Sequence, residues 1–360
     1  MTQPEFAASR QRLAWLDYAK VIGIFLVVFA HASRSIERTP GLEWSASLQT
    51  LDGVIYAFHM PLFFMLAGFA AGLQRNDDTG SFARSLWWGV VVPYVIWSVI
   101  WIGLKVVLPG AANMPVEISA LGKILWLPVD HFWFLYQLFF IRIGWYAMQR
   151  LAGAGTALLS AGIMAATGTS LLLSSQFPEF HWMAGFSKNF AIYGAGMVWL
   201  GAIVHRFGDV QSRNLVVLGG ALCLWGLAIG GAPAAILYAL GGALVVTGIA
   251  KLLPLPDKMG WRLFAFAGEA SLAIYVMHLL VGAVARVGLT HAGLLSENTL
   301  LIGATITGLI VPAIIYWLVL SAASRSGQPL PRWLGLGPAL RTAYLPLWPV
   351  APAEQPVAIN

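Results

Sequence analysis

Residues 16–31 read LDYAKVIGIFLVVFAH, a segment built to lie in lipid that nevertheless opens with Asp17 and Lys20 and closes on His31. A carboxylate or ammonium at the centre of a membrane helix costs about 2.5–3.5 kcal/mol on insertion scales, so anchoring alone does not explain them. Lys20 and His31 are eleven residues apart. At about 100° and 1.5 Å per residue they fall within ~20° of each other and ~16 Å apart along a helix, with Asp17 about 40° from His31. The three share one stripe, Lys20 near one end and His31 near the other. Two arrangements satisfy such a stripe. Asp17 and Lys20 can sit at the headgroups, Lys20 snorkelling, with His31 at the far interface; or all three can face a polar cavity.

Composition points to lipid throughout. The chain has 360 residues, 59% hydrophobic and 10% charged, with a mean hydropathy of +0.76. Soluble domains carry about 25% charged residues, so this is a polytopic membrane protein. Sixteen Trp and nineteen Phe suit aromatic belts at the two interfaces. The net charge of +6 is spread thinly over loops and makes no nucleic-acid footprint. The single Cys223, in an apolar run, excludes a disulfide framework and reads as a structural cysteine. Arg10, Arg12, the run 21–30 and Ala30-His31-Ala32 imitate a cleavable signal peptide. Asp17 does not suit a positive n-region, and many further spans follow.

An α-helix needs about 20 apolar residues to cross a bilayer. Ten segments qualify: 14–31, 51–73, 86–108, 131–149, 152–174, 188–205, 214–230, 233–252, 263–286 and 299–320. None alternates with the period of a barrel strand, so the fold is expected to be all-α with about ten transmembrane helices. With the N-terminus inside, thirteen Lys and Arg fall on the inner side and six on the outer (Arg34, Arg38, Lys105, Lys123, Lys188 and Arg286). The positive-inside rule then puts both termini in the cytoplasm. Residues 1–320 form the membrane domain. Residues 321–360 form a Pro-rich cytoplasmic tail expected to be irregular, whose Trp and Arg side chains can lie on the inner surface.

Depth sorts the histidines. His59 in FHMPLFFMLAGF, His131 in HFWFLYQLFF and His278 in GEASLAIYVMH all fall, like His31, in the outer halves of their spans. Singly, each can be a structural or interfacial histidine; together they suggest a chamber opening outward. No helical H-x-x-x-H pair or Cys partner supports zinc, and no phosphate loop or G-x-S-x-G elbow is present. Acid–base chemistry by histidine in the membrane remains.

These four motifs, in this order and on these spans, resemble the acyltransferase-3 family of integral membrane acyltransferases, in particular its fucose 4-O-acetylase-like branch of sugar O-acetylases. The resemblance runs from about Leu13 to Trp317, and Lys20 and His31 meet the family's motif of a basic residue, a ten-residue gap and a histidine. It implies transfer of an acyl group, acetyl or succinyl, from cytoplasmic acyl-CoA to a hydroxyl of a cell-envelope glycan or its lipid-linked precursor, in the cytoplasmic (inner) membrane. The partners are acyl-CoA, the carbohydrate acceptor and membrane lipid, with no nucleic acid, no permanently bound cofactor and no metal. One departure is plain: many members carry R-x-x-R before the third span, where this chain has Arg84-Ser85-Leu86-Trp87.

On this reading the resemblance makes His31 catalytic, as a general base for the acceptor hydroxyl or as a transient carrier of the acyl group, with Asp130 the carboxylate better placed by depth. Lys20, Arg75, Arg84 and Arg142 form a cationic inner mouth for the CoA phosphates, although the positive-inside rule explains the loop arginines equally well. His59, His131, Trp133, Tyr136, Tyr275 and His278 contact the sugar. Asp17 and Glu269 are structural, Glu269 pairing with a cation such as Lys20 or Arg142. The competing class is a secondary transporter or glycan exporter using the same ionisable groups as a proton relay. It lacks support from an internal repeat or from paired broken spans.

Overall fold

A computed structural model describes residues 14–73, 78–107, 116–151, 155, 211–253, 258–326 and 331–336. Among them there is no strand, and the chain is an all-α multi-pass membrane protein. We number its helices α1 (Ala14–Glu37), α2 (Ala46–Leu73), α3 (Thr79–Leu86), α4 (Val92–Val107), α5 (Trp133–Arg150), α6 (Ser212–Ile229), α7 (Gly231–Leu252), α8 (Lys258–His291) and α9 (Glu297–Arg325). Seven stretches of the described residues are long and apolar enough to cross a membrane: α1, α2, α3 with α4, and α6 to α9. The segment expected at 131–149 is α5, and those at 152–174 and 188–205 lie outside the described residues apart from position 155.

Local chemistry sets the helix ends. Asp78 caps α3, its carboxylate accepting from the Gly80 and Ser81 amides at 3.2 and 2.8 Å. Those bonds hold the Asp78 carboxyl below the ordinary carboxylate range. Ser296 caps α9 through the Thr299 amide at 3.1 Å, with Glu297 in the favourable first turn. Between α3 and α4 the helix widens into a π-turn over Trp87–Val91, where the Val92 N–H reaches the Trp87 carbonyl five residues back. Pro93 supplies no N–H to the turn before it, which removes the α-helical alternative for one carbonyl.

Glycines bring α6 and α7 together. A Cβ on Gly219 would sit 2.5 Å from the Gly241 carbonyl oxygen, and one on Gly241 2.6 Å from the Gly219 oxygen. Gly226 and Gly248, each seven residues further along its own helix, make similarly close contacts with Tyr238 and with Val216. Lipid offers no hydrophobic drive between helices, so close backbone approach is what makes such a pair adhere. Gly230, at φ +60°, turns the chain between them.

α1 is the centre of the bundle, packed against α2, α7, α8 and α9. That placement answers the question raised by residues 16–31. Asp17 is 2% exposed and enclosed by α8, where a Cβ on Gly268 would stand 2.8 Å from its Oδ1. Asp17 therefore lies within the helix bundle, enclosed by protein.

The last helix runs to Arg325, five residues past the expected boundary at 320. Beyond it, residues 331–336 include the 3₁₀ turn Arg332–Leu334 and pack against α4. Trp97 donates to the Leu334 carbonyl at 3.1 Å, and Leu336 is 4% exposed within the main core.

Candidate functional site

One cavity of about 570 Å³ lies where the far ends of α1, α4 and α8 meet the short 3₁₀ turn Asp130–Phe132. His31, His131 and His278 line it. The His31 ring is centred 5.1 Å from that of His278 and 6.5 Å from that of His131, and the last two are 5.5 Å apart. Three elements distant in sequence thus deliver one imidazole each to a single chamber.

Each ring is held differently. His278 Nδ1 faces the Tyr275 carbonyl at 2.7 Å and the Ile274 carbonyl at 3.2 Å. A carbonyl oxygen can only accept, so Nδ1 carries the proton and Nε2 of the neutral ring keeps its lone pair. That Nε2 is buried and has no hydrogen-bond partner among the described residues. Gly308 of α9 permits close packing on α1, since a Cβ there would stand 2.9 Å from Val28, with His278 Cβ at an ordinary 3.7 Å. His131 is fixed through its backbone: the Tyr275 hydroxyl donates to its carbonyl oxygen. His31 has the Tyr56 hydroxyl 3.4 Å from Nδ1, a long contact by hydrogen-bond standards.

The other expected residues divide. Trp133 lines the cavity, and so does Asp130. The Asp130 carboxylate, however, accepts from Lys105 and Trp101, and no hydrogen bond joins it to His31 among the described residues. Its φ of +37° is the only positive value at a non-glycine position among the described residues; that conformation is tolerated best by Asp and Asn. His59 stands behind Tyr56, with ring centres 4.7 Å apart, and its Nδ1 donates to the Ile55 carbonyl at 2.8 Å. It is absent from the cavity lining, as are Tyr136 and Tyr275. Tyr136 donates to the Leu125 carbonyl at 3.1 Å, and Tyr275 braces His131 from outside the chamber.

Toward the opposite end of the bundle, Lys20 is half-buried on α1, and its stripe position places it ~16 Å from His31 by helical rise. Arg84 is exposed on α3. Arg142 of α5 donates to Ser85 at 3.1 Å and lies 5.7 Å from the centre of the Phe82 ring. A second guanidinium therefore reaches the Arg84 turn from another helix. Arg75 is outside the described residues. Glu269 accepts from the Tyr316 hydroxyl at 3.1 Å, a structural link from α8 to α9.

Sequence reasoning missed Tyr56, Trp101, Arg34 and Lys105 as lining residues. The i, i+3 spacing of His31 and Arg34 was the signal available for one of them. Among the described residues no group of three His, Cys, Asp or Glu side chains has the geometry to hold a metal ion. The Nδ1 atoms of His59 and His278 are already committed to carbonyl groups.

No curated protein and no solved structure matches the chain. A family model described as an acyltransferase domain matches residues 13–317, which is most of the chain and contains every histidine of the chamber. The chain belongs to this family of membrane acyltransferases, acyltransferase-3.

Proposed function

We propose that the protein transfers an acyl group, acetyl in the first instance, from cytoplasmic acyl-CoA to a carbohydrate hydroxyl at the outer side of the cytoplasmic membrane, with His31 as general base. The observation that carries this reading is the chamber itself, in which His31, from the helix that also bears Lys20, shares one space with His131 and His278. The fucose 4-O-acetylase-like motifs support a sugar acceptor.

An alcohol is a weak nucleophile, and its proton must leave as the C–O bond forms. Neutral His31 takes that proton while the hydroxyl oxygen attacks the thioester carbonyl carbon. The tetrahedral oxyanion then collapses, the C–S bond breaks, and the CoA thiolate recovers the proton from the imidazolium. Such help is typically worth ~10²–10⁴ in rate. His278 does not need to touch the acceptor to contribute, because its ring is centred 5.1 Å from the His31 ring on which the imidazolium forms. Lys20, with Arg84 and Arg142, provides positive charge on the donor side, where CoA phosphates need counter-charges.

The test is acyl-CoA turnover by the purified full chain in detergent, wild type beside His31→Ala, with acetyl-CoA and then succinyl-CoA. Turnover by wild type that is lost in a correctly folded variant supports the reading. Full activity in the variant overturns the role of His31, and no binding of either acyl-CoA overturns the reaction class.

A further inference from the structure

His31 is held unlike the histidines around it. His59 and His278 each turn Nδ1 to a backbone carbonyl of the preceding turn, at 2.8 and 2.7 Å. His31 turns Nδ1 to a side chain on another helix, the Tyr56 hydroxyl of α2 at 3.4 Å, and its ring has no other hydrogen bond among the described residues.

Tyr56 is itself clamped. Arg34, one turn beyond His31 on α1, lays its guanidinium 3.0 Å from the centre of the Tyr56 ring. Its Nε donates to both carboxylate oxygens of Asp52, one turn before Tyr56 on α2, at 3.1 and 2.9 Å, and Nη2 stands 2.9 Å from Oδ2. Asp52 is 3% exposed. A planar guanidinium can lie on an aromatic face while its edge pairs with a carboxylate, which an ammonium cannot do. His59 packs edge-on against the same ring, with centres 4.7 Å apart. Two adjacent rungs, Arg34 with Asp52 and His31 with Tyr56, thus tie α1 to α2. The pairing also matters for charge. A lone cation one turn from His31 would oppose the imidazolium that forms there, and the Asp52 carboxylate offsets it.

We infer that Tyr56 is the positioning residue of the base: its hydroxyl oxygen accepts the Nδ1 proton of His31, which leaves the Nε2 lone pair for the acceptor hydroxyl, and the Arg34–Asp52 pair holds the phenol in place. This inference rests on the proposed acyl transfer for the role of His31. A neutral imidazole that takes a proton at Nε2 must carry its own at Nδ1, so the phenol oxygen is the acceptor. Nε2 takes the hydroxyl proton as the C–O bond forms and returns it to the CoA thiolate as the C–S bond breaks. The Nδ1 proton stays in place throughout, its bond to Tyr56 tightening while the ring is charged. Tyr56 exchanges no proton. A resting contact of 3.4 Å suits this role, because catalytic hydrogen bonds are often long before substrate binds.

The experiment reads the His31 tautomer directly, by nitrogen NMR of the full chain in nanodiscs with labelled histidine, the His31 signals being assigned by their loss in His31→Gln. The expected spectrum has Nδ1 protonated and Nε2 bare, and in Tyr56→Phe the ring populates both tautomers. Kinetics on the same proteins should show kcat lowered about tenfold in Tyr56→Phe, the worth of one neutral hydrogen bond, with KM for acetyl-CoA little changed. Arg34→Lys keeps a cation for Asp52 without the planar stack, and should fall between wild type and Tyr56→Phe in both readouts. A merely structural tyrosine would lower the melting temperature and leave the tautomer alone. His31 protonated at Nε2 in the wild type, or a tautomer unchanged in Tyr56→Phe, overturns the inference, and wild-type values in Arg34→Lys overturn the part given to the clamp. The wild-type spectrum alone decides if Tyr56→Phe fails to fold. Because the tautomer is read without turnover, the two readings fail separately. A Tyr56-dependent Nδ1 proton in a chain that turns over no acyl-CoA leaves the contact standing and removes acyl transfer, whereas turnover with a tautomer indifferent to Tyr56 does the reverse.

Discussion

His31 and His278, from the first and the eighth of the described helices, face each other across the chamber with ring centres 5.1 Å apart. Their hydrogen bonding is unequal. His278 has spent its Nδ1 proton on backbone carbonyls, whereas His31 has only the Tyr56 hydroxyl at 3.4 Å within reach among the described residues. An imidazole held by one long contact beside one locked as an acceptor is an asymmetric pair, suited to a base and its support.

The pair predicts unequal losses. His31→Ala should reduce turnover by about 10²–10⁴, the usual worth of a general base. His278→Gln should lower kcat by a smaller factor with KM for the acyl-CoA little changed, because it acts on charge that develops only during reaction. Steady-state kinetics on both purified variants checks this. Equal loss from His278→Gln and His31→Ala would make His278 a second base.

Tyr275 lies outside the chamber yet holds His131 by donating to its carbonyl. Tyr275→Phe removes a buried hydroxyl and leaves that carbonyl unpaired, a cost of about 1–3 kcal/mol. The expected outcome is a lower melting temperature together with reduced turnover, since the 3₁₀ turn carrying Asp130 and His131 loses its brace. A thermal-unfolding scan of the variant in detergent, with activity measured alongside, reads both.

How much of this was legible in the sequence depends on what each residue's role requires. The helices were legible because lipid enforces long apolar runs, and the shared stripe of Lys20 and His31 is fixed by helical geometry alone. That His31, His131 and His278 meet was suggested by common depth but not determined by it, since depth leaves the angular position of each helix open. His59 shows the limit: it has the right depth, yet α2 turns it behind Tyr56. Asp130 was legible as a carboxylate at the right level, while its commitment to Lys105 and Trp101 depends on how α4 packs. The tail was the least legible part, because a Pro-rich segment without periodicity carries no sign that Leu336 is buried.

The glycine contact between α6 and α7 predicts a packing defect. Gly241→Ala would place a methyl group 2.6 Å from the Gly219 carbonyl oxygen, which is backbone and cannot swing aside. Overpacking of this kind typically costs about 1–3 kcal/mol. The melting temperature should fall, and Gly220→Ala, where nothing lies within 4 Å of the added carbon, should be close to neutral.

The segment 331–336 makes the final prediction. Gly335 sits at φ +64°, where a Cβ would meet the Pro93 Cα at 2.9 Å and the Trp97 ring at 3.2 Å. Both the backbone conformation and the space therefore demand glycine. α4 carries Trp97 at the tail contact and, one and two turns further on, Trp101 and Lys105 in the chamber wall. Gly335→Val should detach the segment, free the Trp97 indole N–H from the Leu334 carbonyl, and shift tryptophan fluorescence. If α4 is held in place by this contact, turnover falls with it, and Trp97→Phe, which removes the hydrogen bond and part of the ring but keeps an aromatic side chain, falls less. Unchanged fluorescence and unchanged melting temperature in Gly335→Val would show that the tail contact does not support α4.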